Sequence, residues 1–180
     1  MSKRVAVLVL EDGSVFVGST FGAEVPAEGE VVFNTSMTGY QELCSDPSYR
    51  GQMVVMTYPQ IGNYGVTPVS NESTRPWVAA LIVRDYAPYY HHWQGEESLD
   101  EWLARHSVPA VQGVDTRAIT RLLRTKGTMK ARLFQRETPP EDAELESMLG
   151  SVRRVTSLSE KDLAGEVSGA GSEADVLSVG

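Results

Sequence analysis

Residues 31–65 decide the fold, and they read VVFNTSMTGYQELCSDPSYRGQMVVMTYPQIGNYG. This stretch holds two apolar runs, at residues 31–33 and 53–56, that are typical of strands. The connections after each run are rich in glycine, proline and small polar residues. Loops this long and this polar more often present a binding surface than stabilise a fold. We therefore expect a binding surface in the segments 35–50 and 58–66.

Strand-like runs also flank this stretch. The apolar run at residues 5–10 predicts a strand buried on both faces. Asp12-Gly13 predicts a two-residue hairpin turn into a return strand at residues 14–17. Residues 18–29, with one proline and three glycines, are predicted to form a loop. Further strands are predicted at residues 78–83, 108–114 and 129–134.

Helix signals come late in the chain. Ser98 and Glu101 have the spacing of a capping box and precede an apolar helical face. Asp115 or Thr116 is expected to cap a second helix, and Gly127 stands where that helix should stop.

A third helix is predicted to begin in the sequence TPPE at residues 138–141, with proline at the first helical position and glutamate at N3, and to end at Gly150. Together the elements predict a strand-rich α/β domain with two or three helices late in the chain. We assign this domain to residues 1–150. Residues 151–180, which become rich in Gly, Ser and Ala, are predicted to be a linker.

Composition excludes several classes of partner. The 180 residues carry 16 basic and 24 acidic side chains, a net charge of −8, so neither nucleic acid nor a membrane is an expected partner. Positive charge is concentrated in residues 115–136, which hold seven basic residues and one acidic residue. The single cysteine cannot form an internal disulfide, which fits the reducing cytoplasm, where we expect the protein.

Five motifs, in order along the chain, resemble the N-terminal domain of the small, glutamine-hydrolysing chain of carbamoyl-phosphate synthase. They are LVLEDGSVFVG (8–18), FNTSMTGYQE (33–42), DPSY (46–49), MTYPQIGNYG (56–65) and GVDTRAITRLLRTKG (113–127). The resemblance runs from about residue 7 to about residue 133. It implies a layered β/β/α domain that is docked on a large chain, which uses the ATP and magnesium.

The resemblance also implies an activity. The whole enzyme is a ligase that makes carbamoyl phosphate from glutamine, bicarbonate and ATP for arginine and pyrimidine biosynthesis, and its small chain is the glutamine amidotransferase. In the family, the nucleophilic cysteine sits in a Gly-x-Cys-x-Gly turn of a separate glutaminase domain, and this sequence has no such motif. We therefore expect the glutaminase domain beyond Gly180, no cofactor in this domain, and no activity from this chain alone.

Ser48 is the one substrate-binding residue that the resemblance assigns. From the residues alone, Asp46-Pro47-Ser48-Tyr49 predicts a type I turn in which Asp46 accepts a backbone hydrogen bond and Ser48 is merely exposed. The matching serine of the family touches the substrate glutamine, across the boundary with the glutaminase domain. A hydroxyl suits this task because it can both donate and accept a hydrogen bond.

Three other side chains, those of Cys44, His91 and His92, are candidates for catalysis or metal binding, and we assign neither role to any of them. Cys44 has no glycine-flanked elbow and no nearby histidine, so an ordinary half-buried cysteine is expected rather than a nucleophile. His91 and His92 would point apart on a strand or a helix and have no partner at zinc-like spacing, which favours a surface loop. No glycine-rich loop followed by Lys-Ser/Thr indicates a nucleotide site.

The sequence leaves two questions open. Arg117, Arg121 and Arg124 form a helical row, which is either a solvated face or a docking stripe for an acidic surface. Two other functions also compete with a synthase subunit: a self-contained binding module without an enzyme partner, and a free-standing cysteine hydrolase that uses Cys44.

Overall fold

In a computed structural model, which describes residues 4–93 and 95–157, a seven-stranded sheet closes into a barrel. The strands are β1 (Val5–Leu10), β2 (Val15–Gly22), β3 (Ala27–Asn34), β4 (Gln52–Met56), β5 (Gln60–Ile61), β6 (Ala80–Ile82), β7 (Asp85–Tyr86), β8 (Pro109–Gln112) and β9 (Met129–Arg136). The helices are α1 (Tyr40–Ser45), α2 (Leu99–Arg105), α3 (Thr116–Lys126) and α4 (Asp142–Arg153). The predicted strand-rich α/β class, with helices mostly late in the chain, is confirmed.

The barrel combines parallel and antiparallel pairing. Its strand order is β1-β2-β8-β6-β4-β3-β9, and β9 pairs with β1 to close it. Strands β3, β4, β6 and β8 run parallel to one another, whereas every pairing that involves β1, β2 or β9 is antiparallel. Strands β5 and β7 form a separate parallel pair. The carboxyl ends of β3, β4 and β6 therefore meet at one end of the barrel.

Helices cover the outer faces of the most apolar strands. On β1, Leu8 belongs to the barrel-interior cluster, whereas Val7 and Val9 pack with Met148 and Val152 of α4. Strands β4, β6 and β8 are likewise buried on both faces, because α1 and α2 pack over them. This double burial explains why the strands have continuous apolar sequences and not alternating ones.

The predicted loop at residues 18–29 is wrong, because most of that segment lies in β2 and β3. Its glycines mark close backbone approaches between strands. A Cβ atom on Gly18 would lie 2.2 Å from the Gln112 carbonyl oxygen, and one on Gly29 would lie 2.2 Å from that of Gly51. Glycine is therefore required here by packing within the barrel, a reason that a turn pattern does not reveal.

Two element ends also differ from prediction. Four residues, 11–14, and not two, connect β1 to β2, and Gly13 within this turn takes a positive φ of 90°. Helix α4 begins later than predicted, because Glu141 is its N-cap and forms a reciprocal capping box with Glu144. It also continues through Gly150, since Met148 and Val152 on either side pack against β1.

The other helix predictions are confirmed. Ser98 and Glu101 form the capping box of α2, and Asp115 caps α3 by accepting a hydrogen bond from the Ala118 amide at 2.9 Å. Of the predicted linker at residues 151–180, the first three residues belong to α4, and residues 158–180 lie outside the described part of the chain.

Candidate functional site

The structure joins the two predicted binding segments, residues 35–50 and 58–66, into one surface, which we call the loop surface. Two tyrosines hold it together. The Tyr64 hydroxyl accepts hydrogen bonds from the backbone amides of Gly39 (2.7 Å) and Tyr40 (3.2 Å). In return, the Tyr40 hydroxyl donates to the Gly65 carbonyl at 2.7 Å, and the two rings stack with centroids 4.2 Å apart. Burial raises the pKa of both phenols, so both hydroxyls stay protonated.

These contacts cap a helix that the sequence analysis missed. Helix α1 follows Gly39, whose φ is 82° and whose N-cap position has no side-chain hydrogen bond. Its first amides are satisfied instead by the hydroxyl of Tyr64, 24 residues further along the chain. Sequence signals for helix starts are local, so a cap supplied from a distant loop gives no such signal.

Gln41, on α1, anchors the far end of the second segment. Its side chain is fully buried. The side-chain oxygen Oε1 of Gln41 accepts a hydrogen bond from the backbone amide of Thr67 at 2.9 Å. Its side-chain nitrogen Nε2 donates to the backbone carbonyl of Thr67 at 2.5 Å and to the side-chain oxygen of Asn71 at 2.8 Å. This pairing imitates the hydrogen bonds of a neighbouring strand, and it fixes the backbone where the 58–66 segment ends.

Ser48 lies on the exposed edge of the loop surface. It is the middle residue of a 3-10 turn, Pro47–Tyr49, whose start is capped by Asp46 through a 2.8 Å hydrogen bond from the Ser48 amide. The Tyr49 hydroxyl accepts a 3.1 Å hydrogen bond from Asn34, which ties this turn to the end of β3. The Ser48 hydroxyl itself has no hydrogen-bond partner among the residues that the structure describes. The turn thus presents a free hydroxyl on a well-supported backbone.

Cys44 is not placed to act as a nucleophile. Its side chain is fully buried beneath the loop surface, in the cluster that joins α1 to the barrel, so it is more buried than predicted. Burial, with a smaller contribution from the charge of Glu42, raises the pKa of its thiol to about 12. A thiol with this pKa is protonated at neutral pH and unreactive, which contradicts a cysteine hydrolase built on Cys44.

His91 and His92 lie on an exposed loop, as predicted. The His92 ring is 6.2 Å from the exposed Trp93 ring and 6.5 Å from the ring of Tyr64. Within residues 4–93 and 95–157, no group of three or more histidine, cysteine or carboxylate side chains is positioned to hold a metal ion.

The row of arginines on α3 lines a second candidate surface, which we call the arginine cavity. Arg117, Arg121 and Arg124 line this cavity of about 500 Å³ together with Arg84, which follows β6. The remaining lining residues are small and uncharged: Thr35, Thr57, Pro59, Thr116 and Thr120. The helical row that the sequence predicted is thus confirmed, but nothing in the spacing of α3 indicated that Arg84 would join it.

Comparison with known proteins identifies the family. The family of the carbamoyl-phosphate synthase small chain, CPSase domain, matches residues 8–133, more than half of the chain. The chain belongs to this family. The matched residues include the whole loop surface and all four arginines of the cavity.

Individual relatives agree with the family match. The carbamoyl phosphate synthase small chain of Aquifex aeolicus (strain VF5) is 46% identical over 166 residues, which are 92% of this chain and 43% of that protein. The small chain of Symbiobacterium thermophilum is 53% identical over 135 residues, 75% of this chain and 36% of that one. The small chain of Chlorobaculum tepidum is 54% identical over 131 residues, 73% and 36%. This chain therefore spans about two fifths of the length of these relatives.

The described part of the CPSase domain contains no helix that is both long and apolar enough to cross a membrane.

Proposed function

We propose that this chain is the N-terminal part of a glutamine-hydrolysing carbamoyl-phosphate synthase small chain, where it docks the large chain and helps to close the glutamine site. The observation that carries the proposal is the family match over residues 8–133. The whole enzyme then makes carbamoyl phosphate from glutamine, bicarbonate and ATP in the cytoplasm, and the large chain handles ATP and magnesium. Hydrolysis of glutamine belongs to a glutaminase domain of the same small chain.

The loop surface is the part of the domain that we propose faces the glutaminase domain. Its polar edge is exposed, including Ser36, Thr38 and Ser48. In contrast, Tyr40 and Gln41 are buried, Tyr64 is half-buried, and all three are hydrogen-bonded. An exposed polar edge on a fixed backbone suits a boundary that must exclude water. Exclusion of water matters chemically, because ammonia that escapes or is protonated cannot attack the carbon of the activated bicarbonate.

Ser48 is the residue that we propose contacts glutamine. Its hydroxyl has both its donor and its acceptor capacity available among the described residues, and the turn that carries it is fixed by Asp46 and Pro47. A serine with these properties adds one hydrogen bond to a substrate held mainly by another domain. It contributes to binding and does not touch the bond that breaks.

The test is the Ser48→Ala variant in the complete small chain, assembled with its large chain. Loss of one hydrogen bond, at about 1 kcal/mol, should raise KM for glutamine roughly fivefold or more. Synthesis driven by added ammonia should be unchanged, because ammonia bypasses the glutamine site.

Two control variants sharpen this test. Ser48→Thr keeps the hydroxyl and should retain most of the affinity for glutamine. Thr138→Ala removes another exposed hydroxyl, from the connection between β9 and α4, and should leave KM unchanged. If Ser48→Ala and Thr138→Ala behave alike toward glutamine, the proposed contact is wrong.

A further inference from the structure

The arginine cavity lies where three parallel strands end. Thr35 directly follows β3, Thr57 directly follows β4, and Arg84 lies two residues after β6. Helix α3 forms the opposite wall and contributes the other three arginines. The carboxyl ends of parallel strands are a common position for binding sites, because the loops that follow them gather at one edge.

The charge of this cavity is not neutralised by the domain itself. No carboxylate is among its lining residues. Within the described residues, Arg117 and Arg121 form no ion pair, and Arg124 has only a contact of its guanidinium with the ring of Phe33, at 5.6 Å. Arg84 reaches an Asp85 oxygen only at 3.9 Å, the outer limit of an ion pair, with both side chains more than half exposed.

Three other basic residues from the same part of the sequence are paired. Lys126 donates to Asp12 at 2.7 Å, Arg132 lies 3.0 Å from Glu28, and Arg136 lies 2.7 Å from Glu144. The domain thus supplies a close carboxylate to each of these three side chains, whereas among the cavity arginines only Arg84 has one, at 3.9 Å. In a chain with a net charge of −8, this leaves one concentrated positive surface.

The spacing of the arginines indicates the shape of the ligand. Arg117 and Arg124 are seven residues apart on α3, so their backbones are separated by roughly 10 Å along the helix axis. The three side chains therefore leave the helix at points that are spread along its axis. Such a row matches several carboxylates in succession along a polypeptide better than a single small anion. Guanidinium groups bind carboxylates through two parallel hydrogen bonds, and arginine is enriched in protein interfaces.

The last described residue of the chain lies away from the cavity. Ser157, the last described residue, donates a 2.7 Å hydrogen bond to Glu30 on β3. Glu30 lies four residues before the end of β3, roughly 13 Å from the strand end that borders the cavity. Among the described residues, none after Arg124 lines the cavity, so the described part of the chain does not fill it.

We propose that the arginine cavity receives a carboxylate-rich segment of the synthase large chain. This inference rests on the proposed function, because it specifies which surface makes the contact between the chains. The loop surface and the arginine cavity share Thr35 and Pro59, but they then have different partners: the first faces the glutaminase domain, and the second faces the large chain.

The test compares two double charge reversals in the complete small chain, titrated with the purified large chain. Arg117→Glu/Arg121→Glu removes two cavity arginines, and Arg153→Glu/Arg154→Glu makes the same change in net charge on exposed residues at the end of α4. We expect the cavity variant to raise the dissociation constant about 100-fold, at roughly tenfold for each interfacial arginine, and the α4 variant to change it less than about threefold.

Salt dependence and a neutral variant provide independent readouts. Between low and physiological salt, binding of the unaltered chain should weaken, and the cavity variant should lose most of that dependence. Arg117→Gln/Arg121→Gln should weaken binding to an intermediate extent. Thermal melting of each small-chain variant should stay close to that of the parent, since neither arginine has an ion partner in the described domain.

Three outcomes overturn the inference. The first is equal large-chain binding by the two charge-reversal variants. The second is binding of inorganic pyrophosphate with a dissociation constant that rises in the cavity variant, while large-chain binding is the same for the cavity variant and the parent. That result would indicate a site for a small anion. The third is a cavity-dependent self-association of the small chain, seen by light scattering. If the unaltered small chain does not bind the large chain at all, the proposed function itself fails.

Discussion

Replacement of Gln41 by alanine should destabilise the domain more than any exposed glutamine replacement, because Gln41 holds the Thr67 backbone. The buried Thr67 amide would lose its 2.9 Å acceptor, whereas the Thr67 carbonyl would keep a 3.3 Å hydrogen bond from the Ser70 amide. One orphaned buried donor costs about 2 kcal/mol. Loss of the packed side-chain atoms adds about 1 kcal/mol. We therefore expect the free energy of unfolding to fall by about 3 kcal/mol.

Urea unfolding followed by tryptophan fluorescence measures this change. Trp77 is buried and its indole donates to the Ser73 hydroxyl at 2.8 Å, so its emission should report on the segment that follows Thr67. Gln60→Ala is the matched control, since Gln60 is exposed, and it should change stability by less than about 0.5 kcal/mol.

Gln41→Glu separates the two halves of this interaction. A carboxylate can still accept from the Thr67 amide but cannot donate to the Thr67 carbonyl, and burial should raise its pKa. A carboxyl whose pKa is raised by folding is destabilising above its unfolded pKa, so the loss should be larger at pH 7 than at pH 4. The reasoning is refuted if Gln41→Ala costs less than about 1 kcal/mol with an unchanged dependence on urea.

Three further predictions concern the barrel, a helix cap and the thiol. Gly29→Ala should destabilise the domain by about 3 kcal/mol, because its Cβ would lie 2.2 Å from a backbone oxygen. Gly150→Ala should stabilise it by about 1 kcal/mol, because the added Cβ within α4 would meet nothing closer than 3.9 Å. Urea unfolding measures both changes, and equal signs would contradict the packing argument. Two hydrogen bonds from Ser98 lower the pKa of Glu101, so Glu101→Ala should cost more at pH 7 than at pH 3, because stability from a lowered carboxyl pKa is lost as the pH falls through the folded-state pKa. Unfolding curves measured at the two pH values test this, and an equal loss at both would contradict it. The Cys44 thiol should react with a thiol reagent at least about 100-fold more slowly in the folded chain than in urea, and fast labelling of the folded chain would show that its burial is transient.

The strands and late helices were predictable because their signals are local. Strand β1 and helix α3 have the boundaries expected from an apolar run and from a cap at each end. In contrast, Gly18 and Gly29 serve contacts between strands that are distant in sequence, so a local pattern of glycines was mistaken for a loop. Closure of the barrel depends on the pairing of β9 with both β1 and β3, which no single segment encodes.

The candidate surfaces were predictable in part. The position of Ser48 on a supported, exposed turn follows from the Asp46-Pro47 pattern, and the structure agrees with it. The support provided by Tyr64 and Gln41 was missed, because both residues act on backbone more than 20 residues away in sequence. Arg84 was missed as a cavity residue for the same reason, since only the parallel pairing of the strands brings it opposite α3.

Co-purification of this 180-residue chain with the synthase large chain tests the central claim most directly. Both chains are mixed at micromolar concentration and separated by size-exclusion chromatography, with circular dichroism of the small chain as a check on folding. We predict a complex in which the two chains co-elute, because the CPSase domain presents a docking surface of its own. A folded chain that elutes entirely apart from the large chain would contradict the claim that this domain docks it.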